Sequence, residues 1–243
     1  TTAERYEDAI KIYKKLFELD PLPDDYALYA CLMIKLGDFE EGWKYYEYRF
    51  SKFYGQTDYP QIDAPRWEGQ DLSEKTLLVQ YEQGFGDSIQ FFRYLKLLVP
   101  IAKKIIFRVQ DELVDLFKVN TDKIEIVGKS VSVEDLSFDY HTPLLSILRV
   151  LKSNICDIPF SEGYIKADEC RVEEYRKKYF DNDCLKIGIT WAGMYAGNRK
   201  RNVPLKNFYK LTQLSNEKRC VKIYSFQKEL DARALEKLPA NVE

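Results

Sequence analysis

Apolar and polar positions change their rhythm along the chain. In the first 55 residues apolar side chains recur at helical spacing, and Tyr6-Glu7-Asp8-Ala9-Ile10 aligns with Phe39-Glu40-Glu41-Gly42-Trp43 at an offset of 33. Repeats built from helix pairs have a period of about 34 residues. Small Ala9 and Gly42 are expected where paired helices touch, and Pro21-Leu22-Pro23 breaks the chain before a helix from about Asp24 to Leu36. One and a half repeats fit, and such units bury their apolar faces only by stacking on neighbours. From Tyr54 to Leu72 no period survives, and Pro60, Pro65 and Gly69 surround a lone Trp67, which predicts a linker pinned by that ring.

Strand-like and helix-like stretches then alternate. Strands are expected at Thr76 to Gln80, Lys104 to Val109, Lys123 to Val127 and Phe138 to Tyr140, and helices at Ser88 to Leu98, Asp111 to Phe117 and Leu144 to Leu151. That order predicts βαβ units and a parallel sheet. After a charged helix from Val172 to Phe180 a second series starts. It has strands at Lys186 to Thr190 and Cys220 to Phe226 and helices near Leu205 to Leu214 and Glu229 to Leu238. Two strands are too few to complete an open α/β layer, and the first residue is Thr1 rather than Met, so a fragment of a longer protein is expected.

Composition narrows the chemistry. Thirty-seven basic and 39 acidic residues leave a formal charge of −2, which supplies no general field for nucleic acid or an anionic membrane. Cys31, Cys156, Cys170, Cys184 and Cys220 form no Cys-x-x-Cys pair, which predicts reduced thiols and a cytoplasmic protein. One histidine, His141, rules out a histidine-rich metal cluster, so carboxylates, lysines or arginines carry the chemistry. No run reaches the length of a membrane helix and the N-terminus does not read as a signal peptide.

Three motifs stand at the ends of expected strands. Gln83-Gly84-Phe85-Gly86-Asp87-Ser88 joins a strand to an amphipathic helix, and its two glycines allow a tight turn that aims a helix N-terminus at the sheet's carboxyl edge. Ile89 stands where a dinucleotide fingerprint needs a third glycine, and no Gly-Lys-Ser/Thr follows, so neither a dehydrogenase loop nor a P-loop fits. Asp87-Ser88-Ile89-Gln90 also reads as a helix cap, a role compatible with chemistry at Asp87. Thr190-Trp191-Ala192-Gly193 precedes the basic loop Asn198-Arg199-Lys200-Arg201, whose guanidinium groups are either solvated surface charge or donors to a diphosphate. Ser225-Phe226-Gln227-Lys228 closes the next strand and would open at the same edge if the two strands are parallel neighbours. His141-Thr142-Pro143 is either a cleft residue or a structural hydrogen-bonding one, and Asp181-Asn182-Asp183 reads as a polar turn.

With Ala64-Pro65-Arg66-Trp67-Glu68-Gly69, Glu82 to Leu95, His141 to Ser146, Trp191-Ala192-Gly193 and Ser225 to Lys228, the chain resembles bacterial tetratricopeptide-repeat proteins carrying a glycosyltransferase domain. That domain is similar to those of lipopolysaccharide heptosyltransferases and, more distantly, O-linked N-acetylglucosamine transferases. The resemblance implies an α/β, GT-B-like fold in which a Rossmann-type lobe and the start of a second one follow a short all-α tetratricopeptide segment. The expected divisions are a helical segment at 1–55, a linker at 56–74, an acceptor-side lobe at 75–167, and a connecting helix with an incomplete donor-side lobe at 168–243. It further implies metal-independent transfer from a nucleotide sugar, with Asp87 as general base and no cofactor. Trp191, Gly193, Arg199, Arg201, Gln227 and Lys228 would lie on the donor side, and Gln83, Gly84, Gly86 and His141 at the acceptor or its loop. The implied partners are a nucleotide-sugar donor, a protein or glycan acceptor and a protein bound by the helical repeats. The competing reading is a non-catalytic scaffold with a degenerate α/β domain.

Overall fold

The computed structural model describes residues 2–50, 59–192, 202–215 and 220–227. It divides into two compact units, 1–168 and 169–243.

The first unit opens with three helices, α1 (Thr2–Phe17), α2 (Pro23–Leu36) and α3 (Phe39–Tyr46), and a 3₁₀ turn at Glu47–Phe50. Pro23 starts α2 where a missing N–H costs nothing, and the Asp25 carboxylate accepts the Leu22 N–H at 2.8 Å. Gly37 ends α2 in the left-handed region at φ 87°, after which the Asp38 side chain accepts the Glu41 N–H and caps α3. The α2–α3 contact is close at the expected glycine: a Cβ on Gly42 would lie 2.6 Å from Ile34 Cγ1.

Four parallel strands follow: β1 (Thr76–Gln80), β2 (Lys104–Val109), β3 (Glu125–Gly128) and β4 (Tyr140–Pro143), in the order β3-β2-β1-β4. The intervening helices are α4 (Phe85–Leu98) and α5 (Val114–Lys118), with α6 (Ser146–Val150) after β4. Period-2 alternation sends Leu77, Val79, Ile105 and Phe107 to the face that packs on Phe92, Leu95 and Leu98 of α4 and Phe117 of α5. Trp43, Ile34 and Phe39 of the helical segment and Trp67 belong to the same core, so helices and sheet fold around one apolar interior.

The boundaries differ from the expected ones for local reasons. β4 starts two residues late because the Asp139 carboxylate accepts the Thr76 N–H at 2.8 Å and the Lys75 ammonium at 3.0 Å, closing a turn before the strand. Polar His141-Thr142 and terminal Pro143 hide this strand from an apolar-run reading, yet it is buried between β1 and the extended segment at Arg66. That segment, read as irregular, adds to the sheet edge through Trp67 N–H to His141 O (2.8 Å) and His141 N–H to Pro65 O (3.1 Å).

The second unit contains α7 (Glu169–Tyr179), β5 (Leu185–Ile189), a 3₁₀ turn at Leu205–Phe208 leading into α8 (Tyr209–Thr212), and β6 (Val221–Ser225). β5 and β6 pair in parallel, Leu185 opposite Val221, in a sheet separate from the first. The helix expected at Glu229 to Leu238 lies outside the described residues. This pairing corrects the expectation of five free thiols. Cys184 and Cys220 precede the first paired positions of adjacent strands, their Cα atoms are 4.6 Å apart, and they form a disulfide across 36 residues of sequence. Sequence spacing alone hides such a pair. Among the described residues no helix is long and apolar enough to cross a membrane.

Candidate functional site

In the order β3-β2-β1-β4, the chain leaves β1 for β2 on one side and returns to β4 on the other. The carboxyl ends of β1 and β4 therefore flank the point where open α/β sheets form ligand crevices. The turn after β1 builds this edge. Its left-handed residue is Gln83, at φ 61°, whereas Gly84 stands at φ −88° and Gly86 lies inside the first turn of α4. The expected dependence of the turn on its glycines is thus corrected: a non-glycine residue takes the uncommon conformation. Backbone strain of this kind collects at functional sites. Gln83 is secured by its Nε2–H to Tyr46 Oη at 2.7 Å, and its carbonyl accepts from Gln110 Nε2 at 3.2 Å.

Helix α4 starts at Phe85, three residues before the expected Ser88, which changes the capping arrangement at Asp87. Asp87 lies in the third helical position, and its Oδ2 accepts the Gly84 N–H at 3.0 Å. Glycine has no side chain to reciprocate, so only the returning half of a capping box exists. Ser88, which follows the expected capping residue Asp87, is buried and donates to Gln110 Oε1 at 2.8 Å. Asp87 is partly exposed, and a Cβ on the adjacent, exposed Gly86 would meet nothing within 4 Å, so the surface of the first turn of α4 is open at Gly86.

Beneath this turn is an ion cluster that the strand and motif pattern did not reveal. Glu82, fully buried as β1 ends, takes Arg49 Nε at 2.7 Å on Oε2, and Arg49 Nη2 at 2.9 Å on Oε1. The same Oε1 accepts the Leu145 N–H at 2.8 Å, which ties the β1 and β4 ends together. Arg49 Nη2 and Arg66 Nη2 both donate to Ser146 Oγ, at 2.8 and 2.7 Å. Glu47 pairs with Arg49 and Arg66, and Glu68 with Arg149. Glu82 and nearby carboxylates hold the Arg49 guanidinium more firmly protonated than usual, against the opposing effect of burial. A buried carboxylate directly after an apolar strand was the available signal, because it demands a cationic partner.

His141 is buried in β4, with Nδ1 2.8 Å from Tyr59 Oη. Burial first, then the Arg66 charge, lowers its pKa, while a backbone hydrogen bond at Ala64 opposes the shift. Because the folded pKa lies below the ordinary 6.5, the unfolded chain takes up this proton first as pH falls. Stability is therefore full above about 6.5 and declines below it. With one histidine in the chain, a falling melting temperature between about pH 6.5 and 5 should be largely flattened by His141→Gln, measured by calorimetry. An unchanged slope would remove His141 as its source.

In the second unit the expected donor-side residues Trp191 and Gln227 do come together. Gln227 Oε1 accepts from Trp191 N (3.1 Å), Ala192 N (3.0 Å) and Thr190 Oγ1 (3.2 Å), while its Nε2–H donates to Ala192 O at 3.0 Å. The amide holds the loop after β5 to the end of β6. Gly193, Arg199, Arg201 and Lys228 lie outside the described residues. Among the described residues no three His, Cys, Asp or Glu side chains are grouped as a metal site.

No protein-family model matches the chain. It is similar to protein FlbA of Caulobacter vibrioides (strain ATCC 19089 / CIP 103742 / CB 15), 26% identical over 193 residues that cover 71% of this chain and 32% of that protein. The chain thus spans about a third of the length of this curated relative. A solved structural neighbour is a glycosyl transferase family 9 protein from Veillonella parvula DSM 2008, with a TM-score of 0.48, 13% identity, and coverage of 72% of this chain and 71% of that one.

Proposed function

We propose that the chain belongs to a metal-independent glycosyltransferase that moves a sugar from a nucleotide-sugar donor to an acceptor hydroxyl, with Asp87 as general base. The observation that carries this reading is the Asp87 carboxylate at the switch point of the parallel sheet: Oδ2 is anchored by the Gly84 N–H, and the residue stays partly exposed. An anchored carboxylate keeps one oxygen's direction fixed while the group remains able to accept a proton.

The acceptor oxygen would attack the anomeric carbon as its proton passes to Asp87, and the bond from that carbon to the diphosphate oxygen would break. Arg199, Arg201 and Lys228 would stabilise the departing diphosphate. Gln227 would act by positioning the 190–192 loop, with Trp191 and Gly193 framing the donor. In this reading Gln83, Gly84 and Gly86 shape the acceptor turn and His141 supports it from within the sheet. The two units would be the lobes of a GT-B enzyme acting in the cytoplasm on a protein or glycan, and the helices a tetratricopeptide-like surface for a protein partner.

A scaffold role finds its support in Gln227, whose amide is already engaged by the backbone of 190–192. Titration calorimetry with uridine, adenosine and guanosine diphosphates separates the two readings. The transferase predicts saturable binding of at least one, weakened about tenfold or more by Lys228→Ala, with the melting temperature nearly unchanged. Absence of binding to the nucleotide panel, or affinity indifferent to Lys228, would favour solvated surface charge and the scaffold.

A further inference from the structure

A cavity lies away from the Asp87 turn, at the seam where α2 and α3 meet α4. It is partly open and holds about 230 Å³ between Ile34, Phe39 and Trp43 on the helical side and Phe91, Tyr94 and Leu148 on the sheet side. At ~30 Å³ per water, that is room for roughly eight water equivalents, the size of one substituted ring. The walls are aliphatic and aromatic, with Trp43 set edge-to-face on Phe91 at 6.2 Å.

Three polar groups break this apolar lining. Trp43 is 6% exposed, and its buried indole Nε1–H finds no acceptor among the described residues. Buried donors of this kind are normally partnered. Arg93 also lines the cavity. Its contacts are the carbonyls of Gln90 (3.2 Å) and Pro159 (3.4 Å) and the Tyr164 ring at 4.1 Å, so no carboxylate among the described residues neutralises it. The exposed Gln90 is the third polar residue of the lining. An indole donor without a partner among the described residues and a partly exposed guanidinium with no carboxylate partner, both lining one mostly apolar pocket, share a preference for an oxygen anion attached to a hydrophobic body.

We propose that this seam is a binding site for a small apolar carboxylate, a ring or branched hydrocarbon bearing one carboxyl group, seated with its apolar part against Phe39 and Phe91. The carboxylate would accept from Trp43 Nε1–H and meet the Arg93 charge. This site is independent of the transferase reading, and no residue of the proposed catalytic machinery lines it.

The test uses the whole chain, indole-¹⁵N-labelled, titrated with sodium benzoate and in parallel with benzamide and sodium chloride at matched ionic strength. The Trp43 indole cross-peak, assigned by its loss in Trp43→Phe, should move saturably with benzoate and stay still with chloride. Arg93→Gln should weaken benzoate at least tenfold and bring it near the affinity of benzamide, with the fold verified by circular dichroism and melting. A Trp43 peak that stays still up to 20 mM benzoate, about the weakest binding of interest for so small a ligand, would overturn the site. Equal benzoate affinity in Arg93→Gln would overturn its anion preference. Should Arg93→Gln fail to fold, Trp43→Phe read by calorimetry replaces it: loss of the indole donor must weaken benzoate, and unchanged affinity refutes the proposal.

Discussion

Replacing Asp87 with Asn is expected to lower turnover by about 10²–10⁴-fold while leaving the turn around it folded. The geometry makes the two consequences separable. Among the described residues Asp87 contributes one hydrogen bond to the fold, accepting the Gly84 N–H at 3.0 Å from the third position of α4. An asparagine side-chain oxygen can accept the same N–H, so Asp87→Asn should unfold at nearly the wild-type temperature. Asp87→Ala removes the acceptor and should cost roughly 0.5–2 kcal/mol, the range for lost helix caps. As general base, however, the carboxylate must take a proton that an amide cannot hold. The measurement is initial-rate transfer with an identified donor and acceptor, beside donor binding by calorimetry. Near-normal turnover in Asp87→Asn would end the base assignment and leave Asp87 as a capping residue.

Glu82→Gln is expected to destabilise the first unit by about 3–5 kcal/mol, the largest effect on folding anticipated in this chain. Its partner Arg49 is 1% exposed, so the guanidinium cannot turn to water when Glu82 loses its charge. Glu47, 3.3 Å from Arg49 Nη1, recovers part of the loss, which favours the lower end of that range. Apolar replacement of both partners, Arg49→Met with Glu82→Leu, should cost much less than the single change, because no orphaned charge remains. Urea unfolding followed by fluorescence gives both numbers. A single-substitution cost below about 1 kcal/mol would show that water or a rearranged Glu47 reaches Arg49, contrary to the burial observed.

The legibility of these features in the sequence followed their range. β1 and β2 fall where their apolar runs put them, because a strand covered on both faces requires such runs, and Gly42 sits at a helix contact as its size demanded. β4 was hard to place because its residues are polar and its partner beyond β1, the Arg66 segment that pairs with the His141 backbone, lies some 75 residues earlier in the chain. Asp87 and the turn motif were visible as local sequence, but the start of α4 was not. The left-handed conformation rests on Gln83, held in place through Tyr46 and Gln110 from distant elements. Arg49 with Glu82, Cys184 with Cys220, and Gln227 with the 190–192 loop share that character, since each is a pairing that only the folded topology brings together.

The Arg49–Glu82 pair also bears on how such a protein can be recombined. The arginine comes from the helical segment and the carboxylate from the end of β1, and Leu145 and Ser146 at the end of β4 bond to the same pair. A chimera that took its helices from another protein lacking a cation at position 49 would inherit a carboxylate sealed beneath the crevice. Conversely, a transplanted sheet without Glu82 would leave the arginine stranded. The junction therefore works as a compatibility key: exchange of either part succeeds when both members travel together or when both are replaced by apolar residues.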